Sequence, residues 1–150
     1  MMNLPPAIAE ACQPLFDALP LDQAMPNLVG TSPKHTALVE EILRSPALEN
    51  LPTLAAGLWL YVDDLDRSHV ISQSIKDKTG SYWHAIMHRR EGDFSNSRYW
   101  HNRAAEHPLL TYGDGLVREV EQAHGQDTPS AVARQREEWK ALFEWCAQAE

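Results

Sequence analysis

The sequence predicts an all-α fold of stacked helical hairpins, with packing helices at the N- and C-terminal ends. Apolar residues recur at helical spacing along most of the chain, and no stretch alternates apolar and polar residues long enough to indicate a strand. A similar helical pattern occurs twice in the centre of the chain, 29 residues apart. The alternative is an irregular helical bundle. Because 150 residues is the length of one ordinary domain, we predict a single all-helical domain over residues 1–150.

The charge of the chain limits its partners. The formal net charge is -8, and Lys and Arg outnumber Asp and Glu only in the central region, residues 67–107. An acidic chain has few cations with which to displace the counterions of a nucleic acid, so we predict no nucleic-acid partner. The basic central region is compatible with a small anionic molecule or a peptide.

The sequence carries no sign of export or of membrane insertion. The first 19 residues lack a basic region and are interrupted by prolines, and no apolar run approaches the roughly 20 residues that span a bilayer. The two cysteines, Cys12 and Cys146, lie near opposite ends, so local spacing provides neither a disulfide framework nor a cysteine-based zinc site. We therefore predict a cytoplasmic protein without a membrane partner, and the oligomeric state is left open.

Prolines mark the helices on either side of the central region. The first helix is predicted within the first 19 residues, with a break or kink at Pro14. Ser32-Pro33 predicts the start of a second helix, and Thr128-Pro129 predicts the start of the last one.

Two helical hairpins are predicted within residues 57–108. Asp64 and Asp93 occupy equivalent positions in the two copies of the repeated pattern, and each follows one helix and precedes another. Gly92 favours a break in the second copy. The first copy lacks a glycine at this point, so the alternative is one continuous helix of about 25 residues that runs through Asp63.

The second hairpin resembles a tetratricopeptide unit. The residues that carry the resemblance are Gly92-Asp93-Phe94 at the turn, Tyr99-Trp100 in the second helix, Ala104-Ala105 near its end and Pro108 after it. The resemblance implies a pair of antiparallel helices. Separately, the string TGSYWHAIMHRREGDFSNSRYW is similar to one found in small bacterial and fungal helical proteins of unassigned function, which implies no activity.

A pair of histidines on the predicted helix 81–91 has the spacing of a metal site. His84 and His88 are four residues apart, so both imidazoles lie on one side, opposite the apolar arc that contains Trp83. This spacing lets two imidazoles hold one zinc ion. The alternative is a pair of solvated or hydrogen-bonded histidines beside an exposed Glu91.

A third metal ligand is predicted on the preceding helix. Asp66 and His69 are three residues apart, a spacing that occurs in the metal sites of helical bundles, and stacking of the hairpins would bring them to His84 and His88. The alternative is that Asp64 or Asp66 caps the helix by accepting the backbone amide hydrogens at its start.

Arginines among aromatic residues indicate either buried ion pairs or an anion site. Arg90 lies within the apolar arc of helix 81–91, where an unpaired charge is unfavourable, so we expect it to form an ion pair. The available partners are Asp63, Asp64 and Asp93. In the alternative, Arg67, Arg89 or Arg90 binds a carboxylate or a phosphate with its planar guanidinium.

Three classes of function follow from these residues. The leading one is a binding module of unassigned function for a small anionic molecule or peptide, in a groove lined by His69, Trp83, His84, His88, Arg89 and Arg67. The second is a metal-dependent enzyme in which iron or zinc is held by His84 and His88 with His69 or Asp66. The third is a structural or interaction protein in which the cluster holds no small ligand. The sequence contains no nucleophile motif, so no catalytic residue is assigned.

Overall fold

A computed structural model describes residues 2–109 and 113–148 and confirms the all-α prediction. The described residues form eight helices and no strand: α1 (Pro6–Ala18), α2 (Thr36–Leu43), α3 (Pro52–Tyr61), α4 (Leu65–Ser72), α5 (Lys78–Glu91), α6 (Phe94–Arg103), α7 (Gly113–Gln122) and α8 (Pro129–Gln148). Within these ranges, no helix is both long enough and apolar enough to cross a membrane.

The first two helices differ in part from those predicted. Pro14 lies inside α1, which continues on both sides of it, so of the predicted break or kink the break is wrong. The second helix begins at Thr36 and not at Ser32-Pro33, because the backbone before it binds the end of α3 instead of forming a helical turn. There the Lys34 amide donates to the Val62 carbonyl at 3.0 Å and the Thr31 hydroxyl donates to the Asp63 carbonyl at 3.2 Å.

The two central hairpins have equivalent turns, so the predicted break after α3 is confirmed. Asp63 and Gly92, 29 residues apart, both adopt left-handed backbone conformations, with φ values of 66° and 88°. The next amide in each copy donates back to the preceding helix over 2.9 Å, from Asp64 to the Trp59 carbonyl and from Asp93 to the His88 carbonyl. A left-handed residue at this point is a common way for a helix to end.

The same 29-residue spacing relates the contacts inside the hairpins. The Ser68 hydroxyl donates to the Ala56 carbonyl at 2.9 Å, and the Ser97 hydroxyl donates to the Ala85 carbonyl at 2.7 Å. In each hairpin this buried serine holds the second helix against the first. The resemblance of the hairpins to tetratricopeptide units stays a prediction.

Each turn ends in an aspartate that caps the following helix. The Asp64 carboxylate accepts the Arg67 amide hydrogen at 3.1 Å, and the Asp93 carboxylate accepts that of Asn96 at 3.2 Å. Asp64→Ala and Asp93→Ala are each expected to lower the free energy of unfolding by about 1 kcal/mol, since loss of an N-cap has this effect. Urea denaturation checks this, with Asp66→Ala as the control. Because Asp66 is exposed and caps nothing, an effect of Asp66→Ala as large as that of Asp64→Ala would contradict the capping role.

Helix α5 is the central helix of the fold. Every residue from Gly80 to Arg90 is buried, because α3, α4 and α6 pack against the helix and Glu138 of α8 contacts its Tyr82 and Arg89 side chains. Close packing is possible partly because Gly57 in α3 has no side chain, and a β-carbon there would lie 2.8 Å from the Trp83 ring. Helix α8 lies across both hairpins, and its Trp139 indole donates to the Gly57 carbonyl at 2.7 Å.

Candidate metal centre

Three histidines from two neighbouring helices form one cluster. His69 comes from the last turn of α4, and His84 and His88 come from successive turns of α5. One ring nitrogen of each residue lies within 4.8 Å of the corresponding nitrogens of the other two. Within the part of the chain that the structure describes, this is one of two groups of residues suited to holding a metal ion.

The rings of the cluster pack directly against one another. The His84 and His88 rings are stacked, with centroids 4.8 Å apart and an angle of 25° between the planes. His69 meets both rings edge to face, at centroid distances of 4.8 Å from His84 and 5.5 Å from His88. Each ring therefore contacts the other two, whereas helical spacing alone places only His84 and His88 side by side.

Trp100, in α6, covers the buried side of the cluster. Its indole lies almost parallel to the His84 ring, with a centroid distance of 3.8 Å and an interplanar angle of 13°. His84 is 3% exposed and His88 is 8% exposed, so neither is solvated. The other form of the alternative interpretation, a histidine hydrogen-bonded to the exposed Glu91, does describe His88. His69 is half-buried and forms the more accessible side of the cluster.

His84 is neutral and has a ring nitrogen without a partner. Burial, followed by the nearby His88 and His69, lowers the pKa of His84 to about 4. The ring therefore carries no positive charge at neutral pH. Its Nδ1 atom is buried and has no hydrogen-bond partner, which is unfavourable for a polar atom away from water.

The Glu91 carboxylate, one turn further along α5, holds the His88 ring by a hydrogen bond. The Glu91 carboxylate accepts a hydrogen bond from Nδ1 of His88 at 2.5 Å. An imidazole that donates through Nδ1 has its lone pair on Nε2. Metal-bound histidines commonly have such a carboxylate partner, which fixes the tautomer and makes the ligand nitrogen more basic.

The second group suited to a metal ion shares His88 with the first and contains Glu91 and Asp93. Both oxygens of Asp93 are already engaged by Asn96, at 3.2 Å from its amide and 2.7 Å from its side-chain nitrogen. These hydrogen bonds lower the pKa of Asp93. We therefore interpret Asp93 as a helix cap and Glu91 as the orienting partner of His88.

Two predicted site residues lie outside the cluster. Asp66 is exposed in the first turn of α4 and is not among the residues whose ligand atoms lie together. Arg67 pairs with Glu40 at 2.7 Å, and its guanidinium lies 4.5 Å from the centroid of the Trp59 ring. Of the predicted pair on α4, only His69 therefore joins the histidines of α5.

Two further predicted residues are in the interior and do not line a groove. Trp83 and Arg89 are both 0% exposed. Arg89 donates to the Glu138 carboxylate at 2.7 Å and is not free to bind an added anion. Arg90, as expected, pairs with Asp63, at 2.5 Å. Both arginines fix α5 to its neighbours. A structural ion pair was predicted for Arg90, whereas the pairing of Arg89 with Glu138 was not predicted.

Trp100 is the residue of the site that the sequence interpretation missed, because it was assigned to the hairpin pattern alone. The repeated hairpin pattern does indicate where Trp100 lies. Ser97 contacts Ala85, and in an antiparallel hairpin the residues after Ser97 lie beside those before Ala85. Trp100, one turn after Ser97, therefore reaches His84.

Comparisons with known proteins do not bear on the site. No protein-family model, curated protein or solved structure matches the chain. The resemblance to small bacterial and fungal helical proteins stays a prediction. Function is therefore inferred from the geometry of the cluster.

Proposed function

We propose that this protein binds a divalent transition metal, zinc or iron(II), through His69, His84 and His88. The observation that carries the proposal is that three imidazoles from α4 and α5 place their nitrogens within 4.8 Å of one another. Neutral imidazole is a good ligand for both metals. The unpartnered Nδ1 of His84 and the Glu91 partner of His88 support the same assignment.

The spacing of the nitrogens is compatible with a bound ion after small side-chain rotations. With metal–nitrogen distances of about 2.0–2.1 Å, the ligands of a tetrahedral zinc ion lie roughly 3.3 Å apart. The upper limit of 4.8 Å in the cluster exceeds this value by about 1.5 Å. The two histidines of α5 are held by stacking, so His69, on the accessible side, has the most freedom to close on the ion.

Three protein ligands leave a coordination position for water or a substrate. Structural zinc sites are usually closed by four protein ligands, whereas catalytic sites keep one position open. A metal held by these three histidines would lower the pKa of a bound water and so supply a nucleophile near neutral pH. Of the three residues His69 alone is not fully buried, so the cluster is accessible to solvent at His69. The proposal therefore favours a metal-dependent enzyme over a structural metal site.

Metal analysis and titration test the proposal. We expect protein purified without a polyhistidine tag to contain close to one equivalent of zinc or iron by elemental analysis. After removal of the metal, zinc titration followed by calorimetry should show one site, and His69→Ala should remove most of the binding. Because His69 is half-buried, His69→Ala should leave the helical circular dichroism spectrum unchanged.

The matched control is His124→Asn, which removes an exposed imidazole outside the cluster. Asparagine suits the left-handed backbone of this position, where φ is 54°. His124→Asn should bind zinc as the parent protein does. If the parent protein neither contains a metal nor binds zinc or iron(II) in titrations, the cluster is structural and the proposal is wrong.

A further inference from the structure

Trp100, which stacks on His84, also lines a cleft. Its volume is about 610 Å³, within the range of small-molecule sites in proteins. The residues that line it come from the α4–α5 connection, the start of α5 and the end of α6, and they include Gln73, Lys76, Lys78, Ser81, Trp100 and Arg103.

The cleft is positively charged in a negatively charged protein. Three of its lining residues are cations, and Asp77 is the one acid among them. The Asp77 carboxylate is already engaged, because it accepts the Gly80 amide hydrogen at 2.9 Å as the cap of α5. Among the described residues, no carboxylate forms an ion pair with Lys76 or Arg103. An anion entering the cleft would therefore find two cations that no internal acid neutralises.

Arg103 is held at the edge of the cleft by aromatic rings. Its guanidinium lies 5.4 Å from the centroid of the Trp100 ring and 5.9 Å from that of Tyr99. Such contacts position a guanidinium without using its N–H groups. Its planar fork remains available for the paired oxygens of a carboxylate or a phosphate.

The walls of the cleft continue the helices that carry the histidines. Gln73, the residue directly after α4, lies four residues after His69, and Ser81 lies three residues before His84 in α5. Each is thus about one helical turn, roughly 5 Å, from a proposed metal ligand. Trp100 joins the two regions, because one indole both lines the cleft and stacks on His84.

We propose that this cleft binds a small organic molecule through a carboxylate or phosphate group held by Arg103 and Lys76. The remainder of the molecule lies along Trp100 and extends toward the histidine cluster. The anion site itself rests on the residues of the cleft, and the role of its ligand as a substrate rests on the proposed metal centre. This assignment places an anionic ligand away from Arg67 and Arg89, which already have carboxylate partners.

Inorganic phosphate serves as the probe. Amide and arginine side-chain resonances of isotope-labelled protein are followed by NMR as phosphate replaces chloride at constant ionic strength, in metal-free and in zinc-loaded protein. We expect shifts at residues 73–81 and 100–103 in both forms. Arg103→Gln and Lys76→Gln should each weaken binding by about tenfold, as expected for loss of a hydrogen bond from a charged donor.

Arg118→Gln is the matched control, since Arg118 is exposed and does not line the cleft. It removes the same charge and should leave phosphate affinity within about twofold. Arg103 and Lys76 are also exposed, so their replacement leaves the packed interior intact.

The possible outcomes distinguish failure of the proposed anion site from failure of the proposed metal centre. Phosphate binding that requires zinc and is unaffected by Arg103→Gln would show that phosphate binds to the metal. This result would overturn the proposed anion site in the cleft. If phosphate causes no chemical shift changes in a protein that binds zinc, the proposed anion site is wrong and the proposed metal centre is retained. Arg103-dependent binding in a protein that does not bind zinc would support the anion site and remove the metal centre.

Discussion

Replacing His84 with glutamine is expected to lower the affinity for zinc by at least about 100-fold. Loss of an outer partner of a metal ligand commonly weakens binding by about 10- to 100-fold, so loss of a ligand itself should have at least this effect. Glutamine preserves much of the volume of the buried ring and its packing beside Trp100. Competition with a chromophoric chelator measures the zinc dissociation constants of the variant and of the parent protein.

Two further substitutions show whether the effect is specific to coordination. Glu91→Gln leaves all three imidazoles in place and weakens only the orientation of His88, so its effect on zinc affinity should be smaller than that of His84→Gln. Both variants should keep the helical spectrum of the parent protein. Unchanged zinc affinity in a folded His84→Gln protein would show that zinc binds elsewhere.

Replacing Glu138 with alanine is expected to lower the free energy of unfolding by about 3–5 kcal/mol, the usual effect of removing one partner of a buried ion pair. The Glu138 and Arg89 side chains are both 0% exposed, and the Arg89 guanidinium donates to the Glu138 carboxylate at 2.7 Å. The Tyr82 hydroxyl donates to the other carboxylate oxygen at 3.3 Å. Alanine would leave the positive charge of Arg89 buried without its carboxylate. Urea denaturation followed by circular dichroism measures the loss.

The control for this substitution is an ion pair at the surface. Glu121 contacts Arg98 at 2.5 Å, but both side chains are more than a third exposed, so Glu121→Ala should leave the free energy of unfolding almost unchanged. The double variant Arg89→Met, Glu138→Leu removes both buried charges and should regain most of the stability lost in Glu138→Ala. A loss below about 1 kcal/mol in Glu138→Ala would contradict the assignment of this pair as a main link between α5 and α8.

The sequence by itself determined the features that depend on near neighbours in the chain. The aspartate caps at Asp64 and Asp93 each bind an amide three residues further on. The turns at Asp63 and Gly92 depend on a single left-handed residue, and the 29-residue repeat relates the two. Interactions of this range are set by local spacing, and so the helical hairpins could be predicted without knowledge of their packing.

The sequence also predicted that the two histidines of α5 share one side of the helix. His84 and His88 lie four residues apart, so their common side of α5 follows from helical geometry. That geometry gives the direction of a side chain but not what lies beside it. The sequence therefore predicted His84 and His88 as a pair of metal ligands. It left the third ligand open between Asp66 and His69.

Only the tertiary structure decided which residues meet and which are buried. The contacts that select His69, cover His84 with Trp100 and pair Arg89 with Glu138 all cross between helices, and the last joins residues 49 positions apart. Such contacts depend on the rotation and crossing of helices, which the sum of many weak packing interactions determines and which no single residue pattern records. Because neighbouring helices cover α5, its histidines are buried and form an interior cluster. The residues predicted to line a groove, Trp83 and Arg89 among them, lie in the interior instead.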